Sequence, residues 1–553
     1  MTRDSMAEVP PAAPSLPVDD VDVLVIGAGP SGAVTAKRLA EEGLRVVVLE
    51  QGDWPDRTLA RAGQADFEVT AGRDWVTNPN TRRASADFPI EDRDSEVAAV
   101  LWNGVGGSAV MYAAQWQRAC PSDFRVRTLD GVADDWPLTY EDLEPYFVRV
   151  ERDFGISGLA GDPAYPPGEG PPLPPPPMGV MGRRVARAHN ELGWHWWPAP
   201  NAVATRAYGR LNACTQRGTC MQGCVEGAKS TPDITHWPDA VEMGVRLMTG
   251  ARVRRLVLDR RGLVEGALYV DRDGREHLQR APVTIVCANG LGTPRLLLLS
   301  DGPGHPDGLA NSSGLVGKRL MMHPFGTVVG LFEEDLGSTH GVWGQHIHSL
   351  QFYESDPDRG FVRGAKWGLQ PTGGPMSQTR PYPWGAENAI WGPGFHAGLR
   401  ARLGHSAMWG IIMDDLPEEV NRMELDPHLA DSDGIPSPRI RYRMGENSKR
   451  LMAFHLARCR ESLEAAGAYD VTTAPLIRET GWHLLGTVKM GDDPATSVVD
   501  GWGRAHDVPN LFVFDGSVFP TSTGVNPTGT IAALALRNTE HLLAQRRDQA
   551  VAP

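Results

Sequence analysis

Residues 22–51, DVLVIGAGPSGAVTAKRLAEEGLRVVVLEQ, have the pattern of a strand, a glycine-rich turn, a helix and a second strand. Residues 23–26 form an unbroken apolar run, which is typical of a parallel strand buried on both faces. Gly27, Gly29 and Gly32 follow with the spacing GxGxxG. Together these features predict a βαβ unit that binds a dinucleotide, with the helix over residues 33–42.

Each glycine of the motif has its own predicted role. Gly27 permits the tight turn, Gly29 lets the backbone approach a pyrophosphate, and Gly32 lets the helix pack closely on the strand. The second strand, residues 45–49, brings Glu50 to the place where a ribose hydroxyl needs an acceptor. An acid at this position favours an unphosphorylated ribose, and hence FAD or NAD rather than NADP.

The composition limits the classes of protein that the chain can belong to. A chain of 553 residues is too long for one core, so we expect at least two domains. Its 41% apolar and 22% charged residues are ordinary for a soluble protein, and its net charge of −14 disfavours nucleic acid or an anionic membrane as a partner.

The amino-terminal segment and the hydropathy predict a cytoplasmic protein. Residues 1–19 are rich in proline and alanine and lack the pattern of a signal peptide, so we expect a disordered tail. No window approaches 18 uninterrupted apolar residues, so we expect no membrane span. Export would then depend on a partner subunit that carries the signal.

Two later glycine-containing segments also predict contact with a ligand. The run Asn103-Gly104-Val105-Gly106-Gly107-Ser108 suggests backbone that lies close to a flat or anionic group. Near the carboxyl terminus, Asn526-Pro527-Thr528-Gly529-Thr530 opens a helix predicted over residues 531–543. Its free N–H groups can stabilise a partly anionic ring.

Three of the six cysteines crowd into eleven positions. Cys214, Cys220 and Cys224 have the spacing C-x5-C-x3-C, which fits neither a zinc ribbon nor a redox CxxC motif. Three thiolates on a short loop are compatible with an iron–sulfur cluster and equally with unligated buried thiols.

Taken together, these stretches resemble the glucose-methanol-choline (GMC) family of FAD-dependent oxidoreductases over residues 21–543. The resemblance includes the dinucleotide motif, the NGVGGS segment from Asn103, the stretch WPLTYEDLEPYF from Trp136, the strand at Cys287, the HLLGT segment from His483 and the NPTGT segment from Asn526. It implies FAD rather than NAD.

The resemblance also implies roles for single residues. His483 would take the hydroxyl proton of the substrate, and Asn526 would pair with it. Val253 would meet the adenine and Asp515 the ribityl chain or the pyrophosphate. The positions that would bind FAD are Gly27, Gly29, Gly32, Glu50, Asn103, Gly104, Gly106, Gly107, Ser108, Val253, Asp515, Pro527 and Thr528.

Two features separate the chain from simple members of this family. Some members attach FAD to a histidine four residues after the double glycine, and Met111 at that position implies non-covalent FAD. The spacing of Cys214, Cys220 and Cys224 resembles that of catalytic subunits of bacterial sugar and polyol dehydrogenases, which hold a 3Fe-4S cluster and pass electrons to a cytochrome. It implies possible iron–sulfur ligands and a possible electron-acceptor or small partner subunit.

The predicted activity is FAD-dependent oxidation of an alcohol, by hydride transfer to flavin N5, on a sugar, glycoside or polyol. Trp343, Trp367, Trp384 and Trp391 either offer flat faces for stacking on a sugar or belong to the core. The alternatives are an oxidase that uses oxygen on an aromatic, aliphatic or sterol alcohol, a flavin-dependent lyase, and a non-catalytic flavoprotein subunit.

The predicted fold class is α/β, with a Rossmann-like FAD-binding domain interleaved with an α+β substrate-binding domain built on an antiparallel sheet. The FAD-binding domain would comprise residues 20–155, 236–325 and 480–545. The substrate-binding domain would comprise residues 156–235, with the cysteine loop, and 326–479. We expect short strands and turns in that last block.

Overall fold

The computed structural model describes residues 17–57, 68, 75–379 and 391–551. Most of the predicted amino-terminal tail, residues 1–16, lies outside them, as does Trp384. The strands in chain order are β1 (Val23–Ile26), β2 (Val46–Glu50), β3 (Trp197–Pro198), β4 (Arg246–Thr249), β5 (Arg252–Leu258), β6 (Val264–Val270), β7 (Glu276–Arg280), β8 (Val283–Val286), β9 (Phe325–Leu331), β10 (Ile347–Ser349), β11 (Ala365–Gln370), β12 (Ser406–Met413), β13 (Arg422–Ala430), β14 (Pro436–Arg441), β15 (Asp470–Ala474) and β16 (Leu511–Val513).

The helices follow the same chain-order numbering. They are α1 (Pro30–Glu41), α2 (Pro79–Arg82), α3 (Val126–Asp130), α4 (Tyr140–Phe154), α5 (Gly179–Leu192), α6 (Pro232–Thr235), α7 (Trp237–Glu242), α8 (Asn289–Leu298), α9 (Pro375–Thr379), α10 (Phe395–Arg402), α11 (Glu446–Ala465) and α12 (Thr528–Val551). Among the described residues, no helix is long and apolar enough to cross a bilayer.

A five-stranded parallel sheet forms around the glycine-rich stretch, in the order β16-β8-β1-β2-β4. Strand β1 is fully buried, as its apolar run predicts. Helix α1 begins at Pro30, three residues before the predicted start, because the fixed φ of proline suits the first turn of a helix. Helix α12 packs against α1 and α4.

A six-stranded antiparallel sheet forms the second layer, in the order β15-β9-β12-β11-β10-β3. In β12, Ala407, Trp409, Ile411 and Met413 belong to the core that includes residues of α11. Because side chains alternate along a strand, the residues between them point to the opposite face. That second face is turned towards the cavity described below.

The prediction of short strands over residues 326–479 is wrong for β9 and β12. Strand β12 has eight residues, all buried, and β9 has seven, all buried. With both faces of the sheet covered, the polar–apolar alternation that marks a strand in a sequence is absent. The α/β class with parallel and antiparallel sheets is confirmed, and the domain boundaries stay a prediction.

Candidate active site

A long cavity is lined by residues of both large sheets. The parallel sheet and the loops around it contribute Gly27, Gly29, Glu50, Asn103, Gly104, Gly107, Ser108, Asp515, Pro527 and Thr528, and strand β5 of a separate antiparallel sheet contributes Val253. The antiparallel sheet contributes Phe325, Gln370 and Ile412, and His483 and Asn526 lie on the same cavity. Two predicted positions, Gly32 and Gly106, do not line it.

The glycines of the first turn differ in what a side chain would meet. A Cβ on Gly32 would lie 2.0 Å from the carbonyl oxygen of Gly27, and one on Gly27 would lie 2.4 Å from that of Cys287. A Cβ on Gly29 would have only the Cα of Gly107, 3.9 Å away, within contact range. Gly32 is therefore required by helix packing, whereas the space beside Gly29 is free for a ligand.

Glu50 is buried at the end of β2, and its carboxylate is held by backbone N–H groups. Ala28 donates to Oε2 and Gly52 donates to Oε1, each at 2.9 Å. Burial raises the pKa of Glu50 despite these bonds. Each oxygen keeps a second lone pair, so the carboxylate can accept hydrogen bonds from a diol.

The loop of residues 103–108 lies against the first turn of the dinucleotide motif. Gly106 donates its N–H to the Ala28 carbonyl at 2.9 Å, and a Cβ on Gly107 would come within 2.7 Å of the Gly29 Cα. Gly106 therefore joins the two loops instead of facing the cavity, and a side chain on Gly107 would disrupt the same contact.

Asp515 lies shortly after β16 and is buried, and both of its carboxylate oxygens accept hydrogen bonds. Oδ2 accepts the N–H of Asn289 at 3.0 Å and the hydroxyl of Thr293, and Oδ1 accepts the N–H of Ser517 at 2.9 Å. Burial raises the pKa of Asp515. The carboxylate therefore fixes the beginning of α8 as well as lining the cavity.

His483 and Asn526, the predicted catalytic pair, lie next to each other on the wall of the cavity. The Asn526 side-chain amide donates to Nε2 of His483 at 3.4 Å. Nδ1 of His483 lies 2.8 Å from Nδ1 of a second histidine, His323. Burial, with smaller contributions from His323 and Lys366, lowers the pKa of His483 well below its usual value.

The loop that carries Asn526 is held from behind by polar contacts. Gly524 donates its N–H to the hydroxyl of Tyr353 at 2.7 Å, and the N–H of Lys366 donates to the Gly524 carbonyl at 3.2 Å. Ser522 donates its hydroxyl to Asp414 at 3.0 Å. Asn526 therefore sits on a fixed loop immediately before α12.

Two family models described as GMC oxidoreductase match the chain, one over residues 21–325 and one over residues 417–535. This chain belongs to the GMC oxidoreductases. The prediction from its motifs is confirmed, and with it an oxidoreductase that acts on CH–OH groups.

Relatives of this GMC oxidoreductase match along nearly its whole length. 2-Methyl-1,2-propanediol dehydrogenase of Mycolicibacterium austroafricanum is 39% identical over 95% of this chain and 95% of its own. The large subunit of fructose dehydrogenase of Gluconobacter japonicus is 28% identical over 94% and 97%. Paromamine 6'-oxidase of Streptomyces fradiae is 32% identical over 94% and 90%.

The fold is also that of a solved structure. The crystal structure of pyridoxine 4-oxidase from Mesorbium loti superposes with a TM-score of 0.64 and 18% identity, over 95% of this chain and 99% of that one. At this identity the likeness shows the fold alone. The predicted fold class is confirmed.

GMC oxidoreductases bind FAD, and the cavity of this one fits that cofactor. The free space beside Gly29, next to the amino terminus of α1, suits a pyrophosphate, because N–H groups there are without helical partners. The carboxylate of Glu50, with a lone pair left on each oxygen, suits a ribose diol. The binding roles of Gly29 and Glu50 stay predictions.

The three clustered cysteines of this GMC oxidoreductase do not form a metal site in this structure. Their sulfurs accept N–H groups: Gln216 donates to Cys214 at 3.3 Å, Trp343 to Cys220 at 3.4 Å and Ala228 to Cys224 at 3.3 Å. Burial, then the charge of Cys224, raises the pKa of Cys220 to about 12. Across residues 17–57, 68, 75–379 and 391–551, no three His, Cys, Asp or Glu side chains are grouped to hold a metal ion.

The tryptophans considered for substrate stacking lie in different environments in the structure. Trp343 lines the cavity. Trp367 is a core residue that donates its indole N–H to His455 at 2.9 Å, and Trp391 is 83% exposed. Stacking on substrate is therefore excluded for Trp367 by its burial in the core.

Two buried residues near His483 were missed by sequence reasoning. His323 contacts it directly, and Lys366 donates from Nζ to the side-chain oxygens of Gln115 and, at 3.1 Å, Gln345. Neither residue lies in a motif with a chemical signature. Their approach to His483 depends on strand pairing between distant segments, which one sequence does not reveal.

Proposed function

We propose that this GMC oxidoreductase oxidises a hydroxyl group of a polyol, sugar or glycoside, with His483 as the proton acceptor. The observation that carries the proposal is the pairing of His483 Nε2 with the Asn526 amide at the cavity wall. Bound FAD would supply the hydride acceptor. The chain must then supply a base, because hydride leaves a carbon readily only as its oxygen loses a proton.

His483 suits the role of a base because it is neutral at physiological pH. Its pKa lies well below the usual value, so the ring enters the reaction unprotonated. Asn526 can donate an N–H to the substrate oxygen without competing for the proton. The two side chains would thus orient the hydroxyl and accept its proton at Nε2.

We further propose that FAD is bound without a covalent bond to the chain. Gly27, Gly29, Glu50 and the loop of residues 103–108 would hold its dinucleotide part, together with Val253, Asp515, Pro527 and Thr528. Met111 lines the cavity where some relatives place an attaching histidine, and a thioether cannot form that bond. Acid precipitation should leave the yellow flavin in the supernatant; flavin that stays with the denatured chain would contradict this proposal.

The cavity wall supports a small substrate with more than one hydroxyl group. Trp343, Phe325 and Trp482 supply apolar faces. Gln370 also lines the cavity, and its Oε1 is buried without a hydrogen-bond partner among the described residues. A second substrate hydroxyl could donate a hydrogen bond to this oxygen. A buried acceptor without a hydrogen bond is otherwise energetically unfavourable. The names of the diol and fructose dehydrogenase relatives agree with this class.

The electron acceptor is proposed to be a dye-like or protein acceptor instead of oxygen. The support is the dehydrogenase names of two relatives and the subunit nature of one of them. A 3Fe-4S cluster on Cys214, Cys220 and Cys224, with a partner subunit, is the finer form of this proposal. Within the described part of the chain, those side chains are not grouped as metal ligands. Iron and acid-labile sulfide analysis of anaerobically purified protein tests it.

The proposed base is tested by anaerobic reduction of the flavin. His483→Gln should slow the rate constant of flavin reduction by about 10²-fold or more, the usual scale for the loss of a general base. Flavin content should stay that of the wild type. Substrates for the assay come from a panel of vicinal diols, sugars and simple alcohols. Flavin reduction at a normal rate in this variant would show that His483 is not the base. If no substrate of the panel bleaches the flavin of the wild-type protein, a lyase or a non-catalytic flavoprotein would be favoured.

A further inference from the structure

His323 meets His483 beside an isolated antiparallel bridge between two distant segments of the chain. Met321 and Leu485 exchange backbone hydrogen bonds, each with an N–O distance of 3.1 Å. His323 follows Met321 by two residues and His483 precedes Leu485 by two, so this bridge brings the two segments close together. Their rings lie at 80° with centroids 4.9 Å apart, and their Nδ1 atoms are separated by 2.8 Å.

A backbone carbonyl decides which nitrogen of His323 carries the proton. Nε2 of His323 lies 3.1 Å from the carbonyl oxygen of Ser522. A carbonyl oxygen only accepts hydrogen bonds, so the proton of a neutral His323 must be on Nε2. Nδ1 of His323 then carries a lone pair and can only accept a hydrogen bond. Because the two Nδ1 atoms lie 2.8 Å apart, Nδ1 of His483 must donate its N–H to Nδ1 of His323.

We propose that His323 is a positioning residue that holds His483 in the tautomer whose Nε2 lone pair faces the cavity. The inference rests on the proposed role of His483 as proton acceptor. The chain of bonds runs from the Ser522 carbonyl through both rings to Nε2, where the hydroxyl proton is taken up. The O–H bond of the substrate breaks, a bond from Nε2 to hydrogen forms, and Nδ1–H stays bonded to His323.

This chain of hydrogen bonds, here called the relay, requires His323 to remain neutral. The surroundings of His323 favour the neutral state. Burial lowers the pKa of His323 to about 4, although Asp414 and the carbonyl groups act in the opposite direction. Lys366, which also faces the pair, further disfavours a proton on His323. A neutral ring offers one donor and one acceptor, and both are used here.

The Asn526 contact agrees with this assignment. Its amide N–H groups can donate only to an unprotonated Nε2 of His483, at the observed 3.4 Å. The reverse tautomer would place two lone pairs against each other, at Nε2 of His323 and the Ser522 oxygen. Both neighbours of His483 therefore specify the same proton position.

The backbone of His323 suggests suitable variants. Its φ is +48°, in the left-handed region that glycine and asparagine adopt more readily than other residues. His323→Gly removes the ring without backbone strain. His323→Asn keeps an acceptor oxygen near the Nδ1 position. The two variants therefore differ in the hydrogen-bond acceptor and not in backbone compatibility.

The test compares anaerobic flavin reduction in these two variants of the holoenzyme. His323→Gly should slow reduction at saturating substrate by about 10²-fold, since the wrong tautomer of a catalytic histidine can cost up to about 10⁴. Imidazole added to this variant should restore part of the rate, and His323→Asn should stay within about tenfold of the wild type. Flavin content and melting temperature serve as the check on folding.

The outcomes separate the inference from the proposal on which it rests. Normal reduction in His323→Gly, with slow reduction in His483→Gln, would overturn the relay and leave the base in place. Equal slowing in the glycine and asparagine variants, without rescue by imidazole, would also overturn it. Normal reduction in His483→Gln would overturn the base itself.

Discussion

At the scale of single residues, the pKa of His483 sets the pH dependence of the reaction. Burial, His323 and Lys366 hold this pKa well below 6.5. A base with a lowered pKa is fully available above its pKa and is lost only as the pH falls through it. We therefore expect the rate constant of flavin reduction to be flat from neutral to alkaline pH and to fall only on the acid side of pH 6.5.

This expectation is checked by stopped-flow reduction over a range of pH at saturating substrate. The matched control is the flavin content at each pH, because loss of the cofactor in acid would imitate protonation of the base. A rate that climbs steeply between pH 6.5 and 8 would show that the base titrates in that interval and would contradict the assignment.

Some residues of this site could be predicted from the sequence and others could not. His483 and Asn526 lie in motifs that resemble those of the GMC family, so the sequence alone predicts them as site residues. His323 contacts His483 over 160 positions of the chain, and the charge of Lys366 acts on His483 over 117 positions. Such contacts follow from strand register, which a sequence without a pairing partner does not specify.

At the scale of elements, the βαβ unit allows the roles of two glycines to be separated. Gly29 has a φ of −73°, and a Cβ there meets nothing closer than 3.9 Å, so Gly29→Ala should leave the fold intact apart from about 1 kcal/mol at the helix cap. The new methyl group would occupy the space proposed for the pyrophosphate. We expect FAD affinity to fall by at least about tenfold, measured by flavin titration of the apoprotein.

Gly32→Ala is the matched variant with the opposite expected result. Its Cβ would lie 2.0 Å from the Gly27 carbonyl oxygen, and neither backbone can yield without moving α1 from β1. A loss of stability of about 3 kcal/mol or more is expected, seen as a lower melting temperature even without FAD. Equal melting temperatures for the two apoprotein variants would contradict this division of roles.

Helices and strands of this protein differ in how clearly the local sequence indicates them. Helix α4 begins directly after Thr139, whose hydroxyl accepts the Asp142 N–H as an N-cap, and this capping pattern can be seen in the sequence. Strand β12 was not predicted, because SAMWGIIM is buried on both faces and shows no alternation. Local capping chemistry is visible in a sequence, whereas burial by distant elements is not.

At the scale of the whole molecule, the cavity joins segments that are far apart in the chain. Its wall includes Gly27 from the first turn, Phe325 and Ile412 from the antiparallel sheet, and His483 and Thr528 near the carboxyl terminus. A ligand that fills the cavity touches all of them. FAD should therefore stabilise the two sheets together, and not the dinucleotide motif alone.

The stabilisation can be predicted from binding linkage. A ligand that binds only the folded state adds RT ln(1 + [L]/Kd), about 4 kcal/mol at a thousandfold excess over Kd. The melting temperature of the apoprotein should rise continuously with the logarithm of FAD concentration. Gly29→Ala should need far more FAD for the same rise, which provides the control for unspecific stabilisation.

Hydrogen exchange shows where this stabilisation acts. With FAD, amide exchange should slow in residues 103–112 and 482–485 and in the first turn of α12, since each of these segments contributes residues to the cavity wall. It should remain unchanged in the β13–β14 hairpin and in residues 161–177, which do not. Protection confined to residues 22–51 would show that FAD binding leaves the antiparallel sheet unaffected. In that case FAD binding would not stabilise the two sheets together. It would also not stabilise the segment around His483, although the proposed reaction needs both FAD and His483.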